Sequence, residues 1–237
     1  PNVRWSPDSK KLLVIRQDQR NVGLMPYVSY TSQRPRMFTQ PYALPGDSIV
    51  PTPNFYVIDV TTKKSTKVEL PVRFNNASMN GSLRDSTWTS GSDKAYISGL
   101  SRASKAAYLV EVDATTGKGT LIARDTGKTY VEISSPRDPE SWYVLKTGEV
   151  IWWSERDGYG HLWLLNKDGS VKRQITSGTW QVGAVQHVDE ATRTVWFTAR
   201  GREADQLVYN THLYRTSLDG GAVQLLLVGL LQAELAD

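Results

Sequence analysis

The 237-residue chain has no cysteine, which excludes a disulfide framework, a thiol nucleophile and any zinc site with sulfur ligands. Histidine is almost as scarce, and the three present, His161, His187 and His212, show no metal-ligand spacing. No apolar run is long enough to cross a bilayer: the longest, Leu225 to Leu231, is far too short. A basic start followed by an apolar stretch, as in a signal peptide, is not visible at Pro1. Lys and Arg total 28 against 24 Asp and Glu, for a net charge of +4, but the two signs alternate and no block of five like charges forms. A clustered basic face for nucleic acid is therefore not expected. Stretches of Ala, Leu, Glu and Lys at helical spacing are missing until the very end of the chain.

What is present points to strands. The 8 Trp and 11 Tyr, together with plentiful Val and Thr and frequent Gly and Pro, make an all-β profile. Four segments share one plan of an apolar-alternating strand, a turn rich in Asp, Asn, Gly or Thr, and a second short strand. They run from Tyr56 to Leu70, Ala107 to Ala123, His161 to Ile175 and His212 to Leu225. Their turns recur at steps of about fifty residues, the length of a four-stranded propeller blade with generous loops. Two further strand candidates precede each hairpin: Asn2 to Trp5 with Leu12 to Ile15, Thr87-Trp88 with Ala95 to Ile97, Ser141 to Tyr143 with Val150 to Trp153, and Ala184 to Val188 with Thr194 to Phe197. A β-sandwich or barrel also offers short strands and turns, but the repeat keeps its internal order, which favours a β-propeller.

The expected fold is thus about four blades of four-stranded antiparallel sheet, at residues 1–72, 73–128, 129–183 and 184–226. The opening string Asn2-Val3-Arg4-Trp5-Ser6-Pro7 reads as the middle of a repeat, which suggests an excised piece. Residues 227–237 depart from blade character; they are either a strand that pairs onward and then a short helix, or a non-native end. An insertion at 17–54, rich in Pro, Tyr and Arg, interrupts the first blade. A loop of this length is usually disordered or functional, and its tyrosines argue for an arm that packs on something.

Three strings carry a family resemblance: Tyr42-Ala43-Leu44-Pro45-Gly46-Asp47, then Trp153-Ser154-Glu155-Arg156-Asp157-Gly158-Tyr159-Gly160-His161-Leu162-Trp163, then Gln174 to Val182. In order and content they resemble the N-terminal propeller of bacterial dipeptidyl peptidase IV-type serine peptidases in the prolyl oligopeptidase superfamily, over residues 1 to about 226. The resemblance implies an eight-bladed parent that caps a C-terminal α/β-hydrolase domain, absent here, which performs proteolysis on a peptide substrate in the periplasm or outside the cell. It also implies that Val22 to Gly46 is an extended arm at a homodimer contact, with Met25, Tyr27, Tyr30, Met37, Phe38 and Tyr42 as apolar anchors. The alternative is a loop folded down on its own blade.

No residue is assigned to catalysis. A hydrolase serine needs a strained elbow of the G-x-S-x-G type, and Gly46-Asp47-Ser48, Gly81-Ser82 and Gly91-Ser92 each lack the second glycine. The resemblance implies a glutamate pair that holds the substrate's amino terminus, placed just before the strand at Val3 to Trp5. Glu155 and Glu203 have no adjacent acid and do not take that role. Glu155-Arg156-Asp157-Gly158 reads as a blade turn in which Arg and acids tie neighbouring strands, and His161 and His212 as packing residues. Thr116-Gly117-Lys118-Gly119-Thr120 lacks the first glycine of a phosphate loop and reads as a hairpin turn. Asn76-Ala77-Ser78 and Asn80-Gly81-Ser82 fit the glycosylation pattern, which matters only in a secreted eukaryotic protein.

No cofactor is expected. The function implied is the scaffold, substrate-gating and dimerisation portion of a dipeptidyl-peptidase-type exopeptidase, not itself an enzyme. Two alternatives stay open: a non-enzymatic propeller that binds a protein or glycan, and the propeller of an oligopeptidase or acylaminoacyl-peptidase relative.

Overall fold

A computed structural model describes residues 3–73, 86–132 and 142–230. Both glycosylation patterns, Gly81-Ser82, Ser141 and the tail beyond Leu230 lie outside these. Among the described residues there are strands and turns but no helix. The chain opens with β1 (Val3–Trp5) and β2 (Lys11–Asp18), continues through a hairpin of β3 (Leu24–Ser29) and β4 (Arg36–Pro41), and returns as β5 (Thr52–Asp59) and β6 (Ser65–Lys67). Next come β7 (Ser86–Trp88), β8 (Lys94–Leu100), β9 (Ala106–Asp113) and β10 (Gly119–Thr126). They are followed by β11 (Trp142–Val144), β12 (Val150–Ser154), β13 (His161–Leu165) and β14 (Val171–Gln174), and by β15 (Gln181–Asp189), β16 (Thr194–Arg200), β17 (Thr211–Ser217) and β18 (Gln224–Leu230).

The sheet orders are β1-β2-β5-β6, β10-β9-β8-β7, β11-β12-β13-β14 and β15-β16-β17-β18, with β3-β4 as a separate ribbon. Four four-stranded sheets, three of consecutive strands and the first interrupted by the β3-β4 ribbon, are the blades the repeat predicts, so the all-β propeller-type fold is as expected. Residues 227–230 belong to β18, which pairs antiparallel with β17.

Two compact units form, one of Pro1–Arg102 with Glu111–Gly119 and the other of Ala103–Val110 with Thr120–Asp237. In the first, β5 alternates as its sequence does, burying Phe55 and Val57. The turns before the second strand of the first two sheets are built alike. Ser6 N donates to Lys11 O at 2.9 Å and Thr89 N to Lys94 O at 3.0 Å, each hydroxyl also accepts from the same lysine's N–H, and Ser9 and Ser92 take matching positive φ of 57° and 58°. The turns are also stitched together: Asp8 N donates to Ser92 Oγ at 3.1 Å, and Lys11 Nζ to Ser92 O at 3.0 Å.

The second unit is centred on aromatic residues. β12 is buried along its whole length, so Val150-Ile151-Trp152-Trp153 is a continuous apolar run rather than an alternating one. Trp153 Nε1 donates to Val182 O at 3.0 Å, which gives its polar atom a partner and ties β12 to β15. Gly160 lies against the Trp153 ring closely enough that a Cβ would overlap it. Trp180, Phe197 and Tyr214 stack with centroids 5.8 to 6.4 Å apart.

Candidate functional site

The insertion between β2 and β5 is a β-hairpin arm. Its strands pair Leu24 with Pro41, Met25 with Gln40, Pro26 with Thr39, Tyr27 with Phe38, Val28 with Met37 and Ser29 with Arg36. The tip is folded by its own hydroxyls: Ser29 Oγ lies 2.9 Å from Thr31 Oγ1, and Ser32 Oγ donates to Arg34 O at 2.5 Å. At the root, Val22 is buried. Tyr42 N donates to Gly23 O at 2.8 Å.

The Leu44-Pro45-Gly46-Asp47 string is a tight turn. Asp47 N donates to Leu44 O at 3.1 Å, and Leu44 N returns a bond to Asp47 Oδ2 at 2.8 Å. Gly46 has φ +96°, so Pro followed by Gly here is the residue pair of a type II turn, whose third position only glycine takes without strain. Arg102 Nη2 donates to Asp47 O and fixes the turn to the first unit.

The six anchor candidates do not form one surface. Strand alternation puts Met25, Tyr27 and Phe38 on one face of the ribbon and Met37 on the other. Tyr27 and Phe38 stack, with centroids 5.6 Å apart and planes 18° apart. Tyr30 occupies the tip at 76% exposure, Met37 is 75% exposed, Phe38 50%, and Tyr42 follows the ribbon, also exposed. Leu24 and Val28, exposed on the Met37 face, are absent from the candidate set because their alternation has meaning only once the segment is known to be a strand pair.

The turn from β12 to β13 behaves as its sequence suggests. Asp125, at the end of β10, accepts from Ser154 Oγ and pairs with Arg156 Nη2 at 3.4 Å. Arg156 N and Nε both donate to Ser154 Oγ, at 3.1 and 2.8 Å, and its guanidinium lies 5.0 Å from the Trp163 ring centroid. The turn thereby binds to the neighbouring sheet. Desolvation, then the charges of Glu132 and Asp125, push the Glu155 carboxyl up. Glu203 accepts from Arg202 Nη1 at 2.8 Å and from the Tyr214 hydroxyl at 3.1 Å. Burial, reinforced by Glu203, pushes that phenol up to about 12.

The three histidines lie in different surroundings. His161 Nε2 lies 2.9 Å from Gly178 O, an acceptor only, so this nitrogen carries the proton, and Nδ1 accepts from Thr176 Oγ1 at 3.0 Å. Both ring nitrogens are engaged. His212 is buried edge-on to Tyr214 at 6.3 Å, and His187 lies 5.2 Å from Trp196. Thr116-Gly117-Lys118 is the turn between β9 and β10, with Asp113 Oδ1 accepting from Thr116 N at 2.7 Å. Ser92 is consumed by the turn-to-turn stitch. Among the described residues no group of three His, Asp or Glu could hold a metal ion, and no helix is long and apolar enough to cross a membrane.

Residues 2–229 match the family model of the dipeptidyl peptidase IV (DPP IV) N-terminal region. The fold is similar to that of Porphyromonas gingivalis dipeptidyl peptidase 4, with a TM-score of 0.71 at 22% identity over 94% of this chain and 30% of that one. It is also similar to a Bacteroides ovatus ATCC 8483 protein assigned as a dipeptidyl aminopeptidase IV, with a TM-score of 0.67 at 20% identity over 94% of this chain and 32% of that one. The chain spans about a third of the length of these solved structures, and at such identities the likeness establishes the fold.

Proposed function

The chain belongs to the dipeptidyl peptidase IV N-terminal region family, and on that premise we propose that it is the scaffold, substrate-gating and dimerising portion of a dipeptidyl-peptidase-type serine exopeptidase. The observation that carries this reading is the family match over residues 2–229 in a chain that covers about a third of its solved relatives. The serine, aspartate and histidine of acyl transfer then belong to an α/β-hydrolase domain outside these residues. The parent enzyme works in the periplasm or outside the cell on short peptides. Within the chain, the arm at Val22 to Gly46 takes the dimerising role: its side chains are exposed on both faces, an arrangement that a partner surface would cover.

The test is hydrolysis of an aminoacyl-proline chromogenic substrate. The 237-residue chain alone releases no chromophore, whereas the chain joined to its hydrolase domain does. Turnover by the chain alone that survives removal of contaminating proteases overturns the reading.

A further inference from the structure

The hydrogen-bonding phase of the arm gives its two edges different properties. Tyr42 N donates to Gly23 O in the register that pairs Leu24 with Pro41, so Gly23 and Tyr42 form a hydrogen-bonded pair. Such pairs alternate with non-hydrogen-bonded ones, which makes Leu24/Pro41, Pro26/Thr39 and Val28/Met37 the non-hydrogen-bonded pairs. The prolines agree independently. Pro26 and Pro41 have no N–H, and both fall where an N–H would point away from the ribbon. The outer edge of β3 therefore lacks a donor at its centre, while β4 offers the N–H and C=O of both Met37 and Thr39. One edge is closed to strand pairing and the other is open. Exposure follows the same division: β4 is exposed at every residue from Arg36 to Gln40, whereas β3 alternates.

We propose that the open edge of β4 is a strand-addition site whose occupant is β4 of a second copy of this chain, antiparallel across a two-fold axis with Phe38 facing Phe38. This rests on the dimerising reading of the arm. In that register Met37 of each copy both donates to and accepts from Thr39 of the other, so every outward group of the two residues is paired. Placing Met37 or Thr39 on the axis instead sets Thr39 against Pro35, or Met37 against Pro41, and leaves a carbonyl without a donor. The Phe38 pair is of the closer, non-hydrogen-bonded kind and extends the Tyr27 and Phe38 stack into a row of four rings.

Charge fits the same arrangement. From Gln19 to Gly46 the arm has no acid and carries Arg20, Arg34 and Arg36. Antiparallel pairing sends the two cationic tips to opposite ends of the ribbon. Arg36 then faces Gln40 of the second copy, and Arg34 faces Tyr42 near the root where Asp47 lies.

Because the chain has no cysteine, single substitutions report the register cleanly. Under mild oxidation Phe38→Cys gives a disulfide-linked dimer, and Met37→Cys and Thr39→Cys do not. Thr39→Pro keeps the arm's own ladder, as Pro26 does, and raises the dimer dissociation constant in sedimentation equilibrium by at least about tenfold. Cross-linking at position 37 or 39 instead of 38, or native-like dimerisation of Thr39→Pro, overturns the edge pairing. Replacing residues 24–41 by a short Gly-Ser link separates the two readings. If that chain is monomeric while Thr39→Pro stays dimeric, arm dimerisation stands and edge pairing falls. If it dimerises like the native chain, or the native chain is itself monomeric, both fall.

Discussion

Aromatic stacking occurs in two regions with opposite surroundings. In the second unit Phe197 and Tyr214 stack at 5.8 Å and both are fully buried. In the arm Tyr27 and Phe38 stack at a similar 5.6 Å, but Phe38 remains half exposed. The same interaction thus has different explanations. Burial of the Trp180, Phe197 and Tyr214 group contributes directly to the stability of the unit that contains it. The arm buries little within the chain, so its apolar residues contribute little to folding, and their presence points outward.

Substitutions that separate stability from association test that contrast. The largest effect is expected at Trp153, whose replacement by alanine removes a fully buried ring and the bond to Val182 O; urea or thermal unfolding should show a loss of about 3–5 kcal/mol. A loss below about 1 kcal/mol would mean that the two regions differ less than their burial suggests.

An intermediate effect is expected from acid. Lys172 foremost, then Arg193, hold the Glu149 carboxyl well below the usual glutamate range, at about 2. A carboxylate lowered on folding stabilises fully above its ordinary value near 4.5 and loses that contribution as pH falls toward about 2. Unfolding midpoints followed down through this window should fall in the native chain by roughly 1 kcal/mol more than in Glu149→Gln, a size limited by the partly exposed Lys172 partner. Parallel curves for the two proteins would remove the ion-pair network from the account of the second unit's stability.

The smallest effect belongs to the arm. Leu24→Ser combined with Met37→Ser should change unfolding stability by less than about 0.5 kcal/mol, because both side chains are exposed. A greater loss would show that the arm is part of the core after all.

How much of this was legible in the sequence depended on whether a residue's role was local. The Asp113-Ala114-Thr115-Thr116-Gly117 turn could be read because its hydrogen bonds stay within a few residues. The blades were readable because each sheet is formed by strands in sequential order. The insertion could be read as an arm but not as a strand pair: Pro26 and Pro41 argue against strands until the pairing phase shows that neither nitrogen faces its neighbour. Partners distant in sequence gave no signal. Nothing in Ser154-Glu155-Arg156 names Asp125, and nothing in Ser6-Pro7-Asp8-Ser9 names Ser92. The division of the arm into two faces and two unequal edges had no such local signal.

The bond between Tyr42 and Gly23 also bears on how the first sheet assembles. Strands β2 and β5 pair from Asp18 with Thr52 to Lys11 with Asp59, so residues 19–51 must be looped out before they meet, at an entropic cost that grows with loop length. The hairpin can close first, through contacts that are near in sequence and form on the microsecond scale. Once Gly23 and Tyr42 are joined, only the links at 19–22 and 43–51 remain to be ordered. A long insertion then acts, for the search between β2 and β5, as a short one.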